Sequence, residues 1–154
     1  MPRYAAAITV GVLTLAVAVV ILFTADSMVP IFRDLATTLA VPVAAWAGIF
    51  AAEMILRRRG FNAESLQRRG GIYPDVRWVN LVMLVVATVI GLGLSTATVG
   101  WLGWEGYLFS VFGVPLDSTL AGTDLGVLVA LLLGLLTPLV AGVPAVRKQE
   151  DALD

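Results

Sequence analysis

Four long apolar runs, with most of the charged residues pushed into the gaps between them, leave this chain few folds to choose from. The runs extend from Tyr4 to Thr24, Leu35 to Leu56, Trp78 to Val99 and Leu125 to Val146. Each has about the 20 residues that an α-helix needs to cross a hydrocarbon core about 30 Å thick. Backbone polar groups find no water inside lipid, so each run is read as a helix that satisfies its own hydrogen bonds. Composition points the same way. Of the 154 residues 59% are hydrophobic and 14% charged, whereas soluble domains are about 45–50% apolar and about 25% charged. The mean hydropathy is +0.94. The reading is an all-α polytopic membrane protein with four transmembrane helices, a single membrane domain over residues 1–154 embedded in the cell membrane, with the lipid bilayer as its first partner. The first run is too long for a signal-peptide core, its one preceding basic residue is Arg3, and bulky Phe23 stands where a small-residue cleavage site would lie.

The placement of Lys and Arg sets the orientation. The connection 57–77 carries Arg57, Arg58, Arg59, Arg68, Arg69 and Arg77, and the C-terminal tail carries Arg147 and Lys148. The connection 25–34 has only Arg33, between Asp26 and Asp34. The connection 100–124 has no basic residue but holds Glu105, Asp117 and Asp124. Basic loops stay in the cytoplasm, so both termini and loop 57–77 are expected inside and loop 100–124 outside. Within loop 57–77, Asn62 can cap a short helix with Glu64 in its first turn and Arg68 and Arg69 in its last, stopped by Gly70-Gly71. Trp101, Trp104, Tyr107, Phe109 and Phe112 suit an anchor in the outer interface.

Several function classes drop out. With no Cys and no His, a zinc or transition-metal centre has no ligands of the usual kind. No basic face suits nucleic acid. No nucleophile–base pair, paired carboxylates at membrane depth or nucleotide-binding glycine loop can be assembled, so the chain is not read as an enzyme and no cofactor is expected.

What remains is helix packing. The second run has small residues every four positions at Ala36, Ala40, Ala44, Gly48 and Ala52. The fourth has Gly126, Ala130, Gly134, Pro138 and Gly142, and the third has Ala87, Gly91 and Ser95. Small residues let membrane helices approach closely. Pro42 cannot donate to the carbonyl of Thr38, so a kink is expected there, with the Thr37 or Thr38 hydroxyl helping to satisfy the backbone. Glu53 is the one carboxylate inside a run. Arg57 follows at i,i+4 and Arg58 lies beside it, so an ion pair at the inner end is expected rather than a proton carrier.

The second run and the loop after it resemble helix ten and the following loop of the nucleobase:cation symporter-1 family, nearest the cytosine/purine permease branch. The residues that carry the resemblance are Ala45-Trp46-Ala47-Gly48-Ile49, Glu53-Met54-Ile55, Arg57-Arg58, Glu64-Ser65-Leu66, Gly71-Ile72-Tyr73 and Trp78-Val79-Asn80. The chain departs from the family pattern at Ala45 for Pro, Glu53 for Asp and Met54 for Tyr. The resemblance implies that the whole chain corresponds to helices nine to twelve, the C-terminal third of an inverted-repeat transporter with five-plus-five helices. It implies a cation-coupled carrier of nucleobases or related small molecules, using sodium or protons, and a partnership with the remaining transporter helices or another membrane subunit. The family's substrate and ion sites lie on helices without a counterpart here, so no substrate-binding residue is assigned. The outer half of helix ten maps to Leu35 and Leu39 as an outer gate, with Pro42 and Thr38 as its hinge. Two other readings stand beside this one. One is a non-transport four-helix scaffold or partner subunit. The other is a small four-span exporter, against which the first run offers no embedded acid.

Overall fold

The computed structural model describes residues 3–24, 27–57, 61, 74 and 76–151. The expected short helix at Asn62, with Arg58, Arg59, Arg68 and Arg69, lies outside them. Among the described residues the fold is all-α, with five helices: α1 (Arg3–Thr24), α2 (Met28–Leu56), α3 (Trp78–Gly93), the short α4 (Tyr107–Val111) and α5 (Leu125–Asp151). A 3₁₀ turn at Gly100–Leu102 precedes α4. Of these helices, α2 and α5 are long and apolar enough to cross a membrane, while α1 contains a shorter apolar helical stretch, Ala5–Ile21, and α3 is a shorter apolar helix. The chain divides into two compact units, Met1–Arg33 and Asp34–Asp154. In the first, Val12, Leu15 and Phe23 of α1 are exposed.

Three helix boundaries differ from the apolar runs, each for a local reason. The second helix starts at Met28 rather than Leu35. The Ser27 hydroxyl accepts from the Val29 amide at 3.4 Å, and Pro30 sits in the first turn, where an N–H has no helical acceptor to lose. Arg33 and Asp34 therefore lie on the helix, not in a loop. The third helix ends at Gly93, short of Val99, and Leu94 closes it by donating to Gly91 at 3.0 Å. The next residues, Ser-Thr-Ala-Thr-Val, are mostly weak helix formers, and the amides of Thr98 and Val99 are used elsewhere. The last helix continues past Val146 to Asp151 and carries one π turn at Pro138–Gly142. Pro138 offers no N–H to Gly134 and crowds that carbonyl, and a π turn is one way for the chain to pass such a point without ending the helix.

The second unit packs α2, from Asp34 onward, with α3 and α5 around Val41, Ala45, Ala87 and Ala130. Approach between α2 and α5 is close enough that a Cβ on Gly48 would meet the Leu131 carbonyl and one on Gly134 would meet the Ala45 carbonyl. Gly91 and Gly126 bring α3 and α5 together in the same way. The small-residue stripe of α5 is buried throughout, at Gly126, Ala130, Gly134, Pro138 and Gly142. That of α2 is not: Ala36 is exposed and Ala40 and Ala44 are only half-buried, whereas Val41, Ala45, Gly48, Ile49, Ala52 and Glu53 form the buried face. A spacing of four advances about 40° per step on a helix of 3.6 residues per turn, so a long ladder winds off any one face. In α5 the wider π turn takes up part of that drift. In α2 nothing does, and the contact follows the alternating three-and-four spacing instead.

Pro42 is half-buried within a continuous α2. The expected Thr38 compensation takes a different form. Its hydroxyl reaches the Asp34 carbonyl, one turn earlier, at 2.8 Å.

Candidate functional site

Two polar clusters close the two ends of the second unit. Asp34 and Glu53, one from each, are about 19 residues apart on α2, a rise of about 28 Å. Between them the packed residues are Val, Ala, Gly and Ile, and the outward side chains Val43, Trp46, Val82, Val85, Leu128 and Leu132 are exposed.

The first cluster gathers around Glu53, which is 9% exposed. The last turns of α2 present Glu53 and Arg57 on one side, with the Arg57 amide still bonded to the Glu53 carbonyl at 3.2 Å. The expected pair exists but is the longer contact, 3.5 Å from Arg57 Nη2 to Glu53 Oε2. The nearer partners come from the start of α3. Arg77, immediately before that helix, forms an ion pair through Nη1 with Glu53 Oε1, and Asn80 Nδ2 donates to the same oxygen at 2.5 Å. The two residues are three apart, so one turn brings both to one carboxylate. Arg77 Nη2 also donates to the Gly142 carbonyl at 3.3 Å, in the π turn of α5. Arg57 Nη2 donates to Gln149 Oε1 at 2.8 Å. One carboxylate and two guanidinium groups thus join the ends of α2, α3 and α5, with a net charge of +1.

Beside this cluster lies a cavity of about 410 Å³ bounded by Trp46, Phe50, Phe61, Glu53, Arg77 and Asn80, among others. Its aromatic wall is regular. Trp46 and Phe50 stack at 5.5 Å between centroids, Phe50 and Phe61 at 6.3 Å, and the Arg57 guanidinium lies 4.3 Å from the Phe61 centroid. A flat ligand edge with both donors and acceptors would meet a carboxylate, an amide and two guanidinium groups here.

The second cluster has two acids and no cation. Asp34 is 3% exposed. Its Oδ2 accepts from the Thr98 amide at 2.6 Å, the Thr98 hydroxyl at 2.9 Å and the Val99 amide at 2.9 Å. Three donors converge on this one oxygen. Glu105, 4% exposed, lies one residue before Gly106, whose left-handed φ of 78° turns the chain and lets its amide reach the Leu92 carbonyl at 3.1 Å. Glu105 Oε1 stands 2.7 Å from the Thr38 hydroxyl, and Oε2 is buried without a hydrogen-bond partner. Burial pushes the Glu105 carboxyl above the usual range. The Thr38 bond opposes that and the Asp34 charge adds to it.

The residues assigned to a gate and hinge all lie on α2. Thr38 belongs to this second cluster. Leu35 is half-buried, Leu39 is 64% exposed and Pro42 lies one turn further along α2. Arg77, Asn80 and Gln149 were not paired with Glu53 by sequence reasoning, and Asp34 and Glu105 were read only as loop acids. The i,i+3 spacing of Arg77 and Asn80 was a usable signal; the approach of Glu105 to Thr38, 67 residues apart, left none. Comparison with protein-family models, with curated proteins and with solved structures finds no match to this chain.

Proposed function

We propose that the chain is the C-terminal membrane portion of a cation-coupled transporter for nucleobases or related compounds, of the nucleobase:cation symporter-1 kind, with four membrane crossings and both termini in the cytoplasm. The observation that carries this reading is the meeting of its family-like segments. Glu53 and Asn80, from motifs at opposite ends of a basic loop, share one hydrogen bond beside a cavity that Arg77 also lines. The separation of the polar clusters, about 28 Å, supports the membrane part because it matches a hydrocarbon core of about 30 Å. The exposed Val, Leu and Trp side chains between them supply the apolar belt that such a core requires. On this reading α1 and α3 are the other two crossings, and the Glu53 cluster lies at the cytoplasmic face.

Transport then needs helices this chain does not supply, because sites in such carriers form between repeats near the midplane. Leu39, exposed on the outer half of α2, is free to act as part of a gate against those helices, with Leu35 beside it and Pro42 as the flexible point. The test is complementation. Helices one to eight of a cytosine permease, lacking its last four, are co-expressed with this chain, and uptake of labelled cytosine, adenine, uracil and allantoin is followed in an ion gradient. Uptake is expected from the pair and from neither part alone. Gradient-driven uptake by the chain alone would refute the claim of incompleteness. A co-purifying pair that moves none of these substrates would refute the nucleobase reading.

A further inference from the structure

We propose that the Glu105 carboxyl is a proton-binding site: its proton is held against the Thr38 hydroxyl, and its release drives the Glu105 turn away from the Asp34 carboxylate. The argument starts with a count of hydrogens. Thr38 Oγ1 lies 2.8 Å from the Asp34 carbonyl and 2.7 Å from Glu105 Oε1. Both oxygens accept only, if Glu105 is ionised, and one hydroxyl has one proton to give. A proton on Glu105 resolves the conflict. Thr38 then donates to the Asp34 carbonyl and accepts from the Glu105 O–H, so both short contacts are hydrogen bonds at once.

The surroundings favour the same state. Glu105 Oε2 is buried with no donor, which is tolerable for the carbonyl oxygen of a neutral acid and costly for a carboxylate. No Lys, Arg or His occurs between Trp78 and Val146, so neither α3, α4 nor the adjoining half of α5 can bring a cation. The charged group that acts on Glu105 is Asp34 of α2, which is of like sign and holds three donors of its own. Burial raises the carboxyl further, so its proton is retained beyond the pH at which an exposed glutamate loses it.

Release is a simple step. The Glu105 O–H bond breaks and the proton passes to water. The Thr38 hydroxyl rotates from the Asp34 carbonyl to Glu105 Oε1. Two carboxylates then face each other, with Arg33 next to Asp34 on α2 but exposed, and the turn that carries Glu105 and the Thr98–Val99 amides bears the repulsion. This inference does not depend on what the protein transports.

The test uses the full chain in detergent micelles and follows the carbonyl-stretch band of protonated carboxylic acids by infrared difference spectroscopy. A band that is lost in Glu105→Gln should titrate above the ordinary glutamate value of about 4.3. A Glu105 midpoint at or below that value overturns the proposal, as does a band unchanged in the variant. Should Glu105→Gln fail to fold, Thr38→Val serves instead. The Thr38 hydroxyl meets Glu105 in both protonation states, so losing it should shift the midpoint from its wild-type value, and an unmoved midpoint counts against the site. Amide exchange at Thr98 and Val99 reads the second half. The ratio of wild-type to Glu105→Gln rates should rise several-fold above the midpoint, and a constant ratio refutes the coupling to the turn.

Discussion

The two ends of the packed unit hold buried carboxylates in opposite ways. Glu53 is met by Arg77, Asn80 and, at longer range, Arg57, so its charge is answered by other charges. Asp34 is met by two amides and a hydroxyl, and its neighbour Glu105 by a single hydroxyl. The first arrangement ties three helices together through long side chains and remains next to an open cavity. The second ties a turn to a helix through short contacts and leaves one oxygen unanswered. A cation-rich end tolerates ionised carboxylates. An end whose acids are met by donors rather than cations tolerates one charge, provided backbone donors surround it, and gains by keeping a second acid neutral. On the proposed membrane reading, the basic end would face the cytoplasm and the acidic end the other side.

The largest effect should be on sidedness. In cells, a membrane-impermeant thiol reagent should label a cysteine at Asp117, near the acidic end, and leave one at Lys148, near the basic end, unlabelled. Both positions are exposed, so access is not limited by packing. Labelling of both, or of Lys148→Cys alone, would end the idea that the clusters sit at opposite membrane faces.

Next in size is the loss of Arg77. Removing one partner of a buried ion pair costs about 3–5 kcal/mol, and partial exposure of Arg77 reduces the expectation to about 2–4 kcal/mol for Arg77→Met. Arg57→Met should cost less against Glu53, since its contact is longer, although it also gives up Gln149. Double-mutant cycles in a detergent unfolding assay would rank the couplings. A Glu53–Arg57 coupling larger than the Glu53–Arg77 one would reverse the assignment of the main partner.

A change of about 2–3 kcal/mol is expected for Asp34→Ala, which strands the Thr98 and Val99 amides. Asp34→Asn should cost about 1 kcal/mol, because one oxygen accepts all three bonds and an amide oxygen can take its place. Equal losses in the two variants would mean that charge, not acceptance, matters at this end.

What could be read from the sequence follows the range of the forces involved. The helices were legible because hydropathy is a local property, and α1 begins within a residue of its apolar run. The ends were less so. Ser27 and Pro30 start α2 in a segment whose charges made it look like a loop, and α3 stops where its amides are drawn off by an aspartate from another helix. Glu53 and Arg57 could be paired from their spacing, whereas Arg77 reaches Glu53 only through packing of α2 on α3. Thr38, one turn before Pro42, also bridges the Asp34 carbonyl and Glu105. Nothing in the order of residues announces that Glu105 folds back onto it, since that depends on the left-handed turn at Gly106 and on where α3 happens to end.

The smallest effect, and the one that separates the two ends most finely, is on the pH dependence of stability. Glu105 has a carboxyl raised above its ordinary value, first by burial, with the Thr38 bond opposing and the Asp34 charge reinforcing. Between the unfolded and folded values the native state holds more protons than the unfolded chain, so stability must fall as pH rises. The contribution is complete below the unfolded value, near the ordinary 4.3 or so, and is lost as pH climbs through the folded one. Glu105→Gln keeps the hydrogen-bonding shape of the neutral acid and cannot ionise. Its unfolding free energy should therefore run parallel to that of the wild type at low pH, exceed it progressively as pH rises from the unfolded value to the folded Glu105 midpoint, and exceed it by a constant amount above that midpoint. Asp34→Asn should pull that midpoint down by removing the like charge. If the difference between wild type and Glu105→Gln is flat across the acid range, or grows toward low pH, then Glu105 is ionised in the folded state and the acidic end carries two charges after all.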